Sequence, residues 1–503
     1  MPKFWDGGHD RRISGRRAGE RILLAVVALV GFSLTGCGLR VSKGQERSAM
    51  EAALGKGGQS GLGAGSGLSA DAGSAADTGA GAVGTATTLG PNGAGSAGGA
   101  GAGQQAVGGT GGGGGGAGSA APAGGNGGAT DVGVTANSIT VGNVSDLGGP
   151  VPGLFQGGPY GVQAYFNYIN SQGGVFGRKL NLIASDDGLQ CSQNEADYQN
   201  RVSSVFAFVG SWSLDDNCGA QIMSAHPNVP MVQTYLNPQM AGLSNAYSMA
   251  PYSQQFYLGP YLYLKQKYPD AITSVGTIVG NQAAAVAAWQ HLRSAIESIG
   301  YKIAYEDDFP PAQSNFSADV LRMKSQNIKM VVLSSVNAPD AAIFAQEAAQ
   351  QGFKPEVWVC VVCYSGGYVQ EAGGASAVEG QYQYLAAAAF LSDPTVPEVA
   401  TYLHWLHTSY PNFSPDLFST YSWANAALFV HILQQVGPHL TQKAVLAALA
   451  ATSSFNDNGM TTTANISGKK PSNCYNLFQI QNGQYVKVDD PPSGFRCDGY
   501  FAG

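Results

Sequence analysis

The chain has 503 residues, a formal charge of −7 and only 12% charged residues. That length exceeds one small domain, and the lack of any basic excess argues against a nucleic-acid surface. Its 71 glycines crowd into one segment, so composition averaged over the whole chain misdescribes the part that folds.

Arg11, Arg12, Arg16, Arg17 and Arg21 precede the apolar run "ILLAVVALVGF". A positive region followed by a short apolar one is the pattern of an export signal, and the run is too short to span a bilayer as a helix. "LTGC", ending in Cys37, resembles the lipobox of bacterial lipoproteins. The resemblance implies cleavage before Cys37, lipid on that cysteine, and anchoring at the outer face of the cell membrane. Removing residues 1–36 takes away six Lys/Arg and three Asp/Glu and leaves a charge of −10. Residues 37–130 follow as a tether, nearly all Gly, Ala and Ser from Ala53 onward. Such a stretch cannot bury enough apolar surface to offset its ordering entropy. As a coil it would span on the order of 50 Å.

The remainder, about 370 residues from Val134, is long enough for two lobes. "SITVGNVSDL" reads as a strand. In "GVQAYFNYINSQGG", Val162, Tyr165, Phe166 and Ile169 mark one face of a helix, and Gly173–Gly174 suit its end. Strands "RKLNLIASDD", "VFAFVGSWS" and "VPMVQTY" alternate with helical stretches. The alternation resumes with "TSVGTIVGN", a helix over 283–298, "YKIAYEDDF", a helix over 317–326, "KMVVLSSV", a helix over 340–351, and "EVWVCVVC". Strands alternating with helices over this length imply an α/β fold with parallel sheets covered on both faces. Several strands end in small or polar groups, and in such folds ligands sit outside the carboxyl ends of strands.

"INSQGGVFGRKLNLIASDD" and the Gly/Pro-rich loop before it resemble the leucine/isoleucine/valine-type periplasmic binding proteins, the type I solute-binding proteins of ATP-binding-cassette importers. The resemblance implies two Rossmann-like lobes joined by three crossovers, with a small solute held in the cleft between them. Residues 138–252 and 382–465 would form the first lobe, and 253–381 and 466–503 the second. Family ligand positions carry over to Phe155, Ser211, Trp212, Ser213, Gln233, Tyr235 and Asn237 in the first lobe. In the second lobe they carry over to Asn281, Gln282, Asn337 and Tyr364. The implied partners are a small solute and the permease subunits of an importer, with the chain monomeric, without cofactor, metal or catalytic activity. Family members that bind amino acids place an acidic residue after the strand that here reads "EVWVC". "VVCYSGG" offers no carboxylate there, and an unpaired buried ammonium is costly. That turns the expectation toward an amide, a carboxylate or an aromatic compound as much as a free amino acid.

Six further cysteines, Cys191, Cys218, Cys360, Cys363, Cys474 and Cys497, suit an exported protein with disulfides. Six cysteines permit 15 pairings. Pairing of neighbours is the expectation: 191–218, which is similar to a disulfide the family often carries in its first lobe, 360–363 and 474–497. "CVVC" also has redox spacing, yet it ends a β-branched run instead of opening a helix. "HWLH" sets His404 and His407 on one helix face without the acid of a metalloprotease motif. No G-x-S-x-G elbow or phosphate-binding glycine loop occurs. The readings beside transport are ligand sensing through a separate signalling protein and a tethered thiol–disulfide protein using Cys360 and Cys363.

Overall fold

The computed structural model describes residues 118–252, 256–311, 313–388, 390–391, 396–488, 494–497 and 501–502. The expected export signal, Cys37 and the Gly-rich stretch up to residue 117 lie outside the described residues. The described residues make one compact unit.

The first lobe is built on β1 (Ser138–Ser145), α1 (Gly157–Ser171), β2 (Lys179–Asp186), α2 (Cys191–Arg201), β3 (Phe208–Val209), α3 (Asp216–Ala225), β4 (Met231–Val232) and β5 (Ala246–Tyr247). Its five strands are parallel, in the order β2-β1-β3-β4-β5. The second lobe holds α4 (Gly259–Lys267), β6 (Val275–Gly280), α5 (Ala283–Ser298), β7 (Ile303–Phe309), α6 (Ser317–Ser325), β8 (Met330–Leu333), α7 (Ala338–Gln350), β9 (Val357–Cys360) and β10 (Tyr382–Leu385). The chain then gives α8 (Pro397–Ser409), α9 (Leu417–Val436) and α10 (Gln442–Ala451) before the hairpin β11 (Asn476–Gln481) and β12 (Gln484–Lys487). The second sheet runs β12-β11-β10-β9-β8-β6-β7, parallel from β10 to β7, with the hairpin antiparallel at one edge.

Both parallel sheets thus use one winding, in which the first strand of each lobe lies between its second and third. β6 (VGTIVG) and β8 (MVVL) are buried along their whole length, the continuous apolar pattern of a strand covered on both faces. The hairpin turns at Asn482 and Gly483, with φ of 53° and 74°, the left-handed pair that a two-residue turn requires.

α9 packs along α1 as part of the first lobe. A Cβ on Gly161 would sit 2.2 Å from the Ser419 carbonyl oxygen, so only glycine allows that approach. The chain passes between sheets three times, after β5, after β10 and between α10 and β11. Ala387 and Thr461, on two of these passages, form an antiparallel bridge.

Two boundaries differ from the sequence reading. Tyr382–Leu385 was expected to open the return to the first lobe, but it pairs with β9 and β11. Its apolar residues complete the second sheet, so the passage falls after Leu385. The expected tether also ends earlier than Thr130. Ser119 exchanges backbone hydrogen bonds with Gly174 and Gly177. The Arg178 side chain is fully buried and donates to the carbonyls of Asn126, Gly128, Thr135 and Pro438. A buried guanidinium needs acceptors, and the backbone of residues 118–130 supplies two of the four, Asn126 and Gly128.

Disulfides join Cys191 to Cys218, Cys360 to Cys363 and Cys474 to Cys497. The first ties the start of α2 to the first turn of α3 across 27 residues. Replacing Cys191 and Cys218 together by serine is expected to cost about 3 kcal/mol of unfolding free energy, read as a lower urea midpoint.

Candidate functional site

In a doubly wound sheet the first crevice opens where the winding reverses, at the carboxyl ends of the strands. Those places are the ends of β1 and β3 in the first lobe and of β6 and β8 in the second. One cavity of about 230 Å3 lies between them. Its first-lobe wall is Phe155, Trp212, Leu189, Leu214 and Leu236, joined by Leu417 and Phe418 from the start of α9. Its second-lobe wall carries Ala284, Ala285 and Phe309, then Ser334, Ser335, Asn337 and Asp340.

The aromatic wall is interlocked. Phe155 meets Phe418 edge-on at 4.9 Å between ring centres, and Trp212 meets Phe418 edge-on at 5.0 Å. Trp212, 5% exposed, donates its indole N–H to Ser422 Oγ at 2.9 Å. That bond fixes the ring so that its remaining surface faces the cavity.

Asp146, at the end of β1, ties this wall together. Its N–H donates to the Trp212 carbonyl, and its carbonyl accepts from Phe155 N–H, each at 3.0 Å. Its carboxyl accepts from Leu189 N–H at 3.0 Å and Leu214 N–H at 2.9 Å. Burial, and then the neighbouring Asp187 carboxyl, push Asp146 up to about 9. Asp216 does the same one loop further on, accepting from Leu236 N–H at 2.8 Å, with burial raising it to about 7. Asp416 caps α9 by accepting from Ser419 N–H at 2.7 Å and so presents Leu417 and Phe418; burial raises it to about 6.

The second-lobe wall is more polar. Ser334 and Ser335 follow β8, and among the described residues neither buried hydroxyl has a hydrogen-bond partner. Asn337 caps α7 by accepting from Asp340 N–H at 2.8 Å, and its amide donates to Asp340 Oδ2 at 2.6 Å. Burial raises Asp340 to about 6. Asp340 is the one charged side chain among the described residues lining the cavity. The expectation that no carboxylate would be at hand is therefore corrected: the acid comes from the first turn of α7, not from the loop after β9.

Of the residues singled out from sequence, the cavity brings together Phe155, Trp212, Gln282 and Asn337. The others lie elsewhere. Ser211 Oγ accepts from Val144 N–H, and Ser213 Oγ accepts from the Asn194 amide. The Gln233 amide donates to Tyr198 OH, Tyr235 OH to the Met231 carbonyl, and the Asn237 amide to Asp216. Asn281 is exposed on the far side of β6. Tyr364 is buried among Phe390, Phe478 and Tyr485. Sequence reasoning missed Leu214, Leu236, Leu417, Phe418, the serine pair and Asp340. "LSSVN" had signalled a polar strand end without showing which hydroxyls stay unpaired.

Cys360 and Cys363 are both 0% exposed. A redox disulfide must meet its partner's thiolate, and this one is closed off; it fixes the loop that sets Val362 against the cavity. His404 and His407 lie exposed on α8. Among the described residues no group of His, Cys, Asp and Glu is arranged to hold a metal, and no helix is long and apolar enough to cross a membrane.

A profile of the family described as periplasmic binding protein matches residues 138–484. A Leu/Ile/Val-binding protein homolog from Brucella abortus is 24% identical over 261 residues, 48% of this chain and 64% of that protein. The match thus spans less than two thirds of that relative's length. Among solved structures, a fatty acid ABC transporter substrate-binding protein from Thermomonospora curvata superposes with a TM-score of 0.61 at 18% identity, covering 73% of this chain and 95% of that one. The branched-chain amino acid transporter substrate binding protein of Streptococcus pneumoniae, in complex with isoleucine, gives 0.56 at 16% identity, covering 70% and 100%.

The raised carboxyls set a pH dependence. Folded Asp146 keeps its proton to about pH 9, whereas the unfolded chain releases it near 3.8. The folded state holds more protons across that interval, so stability falls as pH rises through it. Asp216, Asp340 and Asp416 act in the same direction over narrower intervals. The urea midpoint is expected to be higher at about pH 5 than at about pH 8.5, with Asp146→Asn flattening the upper part of that decline.

Proposed function

The chain belongs to the periplasmic binding proteins, and from that premise we infer that it captures a small, mainly apolar solute with one neutral or cationic hydrogen-bonding head, and delivers it to the permease of an ATP-binding-cassette importer. The observation that carries this reading is the pair of unpartnered hydroxyls, Ser334 and Ser335, beside Asp340 in a cavity whose remaining wall, apart from Gln282 and Asn337, is aliphatic and aromatic. Buried hydroxyls without partners are costly, and a ligand's polar group would satisfy them. Asp340 matches an amine, amide or hydroxyl donor. No cationic side chain among the described lining residues answers a carboxylate.

Uptake is supported by the two structural neighbours, both of them substrate-binding proteins of transporters. The amino-terminal signal and Cys37 support export and lipid anchoring. The Gly-rich segment would then let the binding unit reach its permease. The apolar wall and the acid together suit an aromatic or aliphatic amine, amide or alcohol better than a zwitterionic amino acid, which would leave its carboxylate without a charged partner.

The test is calorimetric titration of the full-length chain with paired compounds of one apolar body and three heads: amide, ammonium and carboxylate. The amide and ammonium forms are expected to bind and the carboxylate form to bind least. Trp212→Ala should weaken binding by at least about tenfold, the loss of one central aromatic contact. Asp340→Asn should weaken the ammonium form far more than the amide. Tightest binding by the carboxylate, or by isoleucine, would overturn the assigned head.

A further inference from the structure

A second cavity, of about 270 Å3, lies directly behind the first. It is walled by the passages between the lobes: Met249 and Ala250 on the first, Ala386, just after Leu385 of β10, on the second, Thr462 and Pro471 on the third. Val362 and Leu417 line both cavities and form the partition between them. Of its three tyrosines, Tyr257, Tyr384 and Tyr421, the last two have their hydroxyls engaged elsewhere. Tyr421 OH accepts from Ala386 N–H at 3.2 Å, and Tyr384 OH lies 3.3 Å from Tyr261 OH.

We propose that the two cavities are compartments of one binding site, and that the ligand is an elongated amphipathic molecule whose aliphatic chain passes Val362 and Leu417 into the hinge compartment. The proposal rests on the function inferred above and narrows its ligand class. Three observations carry it. The cleft cavity alone, about 230 Å3, is smaller than the roughly 300–1,000 Å3 typical of small-molecule sites; with its neighbour it enters that range. The two residues that the cavities share, Val362 and Leu417, both present aliphatic side chains. The rear space is lined mainly by apolar surface, so an alkyl chain entering it would pass from water into apolar surroundings. Val362 belongs to the loop closed by the Cys360–Cys363 disulfide, which holds that half of the partition in place.

The experiment is a titration of the full-length chain, carrying Cys37→Ser to remove the lipid acceptor, with straight-chain primary amides from butyl to dodecyl. Affinity is expected to rise about fourfold for each added methylene, the factor for burying one such group, and to keep rising through the longer members. Ala250→Phe and Ala386→Phe, which fill only the rear compartment, should abolish the gain for long chains while butyl and pentyl amides bind as before. Retained short-chain binding also shows that each variant is folded. A plateau at short chain length, or long-chain affinity untouched by both substitutions, would overturn the two-compartment site and leave the cleft reading standing. Failure of every amide, and of the corresponding straight-chain amines, to bind would sink both.

Discussion

Asp146 is the residue on which the binding face depends. Each of its four backbone and side-chain polar groups holds a different part of the cavity wall: Trp212, Phe155, Leu189 and Leu214. A carboxyl that accepts two backbone N–H groups is well placed as an anion, yet burial and Asp187 keep it protonated across the neutral range. The lobe therefore hangs an apolar surface on a polar knot that water does not reach. Asp216 and Asp416 repeat the device under Leu236 and under Leu417 and Phe418. Loops cannot bury their own backbone without partners. These acids supply the partners, and the loops are free to turn their leucines outward into the cleft.

The fold was legible because parallel strands covered on both faces read as unbroken apolar runs, and β6 and β8 are such runs. Lobe order followed from the alternation and from the resemblance. In the loops after β3, β4 and β6 the site was legible only to within one residue. Trp212 faces the cavity, and so its neighbours Ser211 and Ser213 face inward, because extended backbone sends successive side chains to opposite sides. The same parity separates Leu236 from Tyr235 and Asn237, and Gln282 from Asn281. The positions carried over from the family resemblance are mostly polar, whereas this wall is apolar and its polar neighbours serve the structure. Asp340 escaped notice because an acid in the first turn of a helix is so often explained by the helix alone.

The two walls divide the work unequally. The first lobe contributes shape and apolar surface, and the second contributes nearly all the hydrogen-bonding capacity. In the proposed binding event a solute's polar group can pair with the second lobe while the cleft is open. Apolar burial becomes complete only when the lobes meet, so the larger part of the free energy would appear at closure.

The docked segment has a mechanical consequence. Residues 118–130 lie against the stretch from Gly174 to Arg178 and the approach to β1, at the amino ends of the first lobe's strands. The cleft opens at the opposite, carboxyl ends. Any pull arriving through residue 118 is therefore taken up at the lobe's rear pole by Arg178 and its four carbonyls. It does not act across the three passages between the lobes. A leash attached there loads neither the hinge nor the mouth, and it leaves the mouth pointing away from the point of attachment.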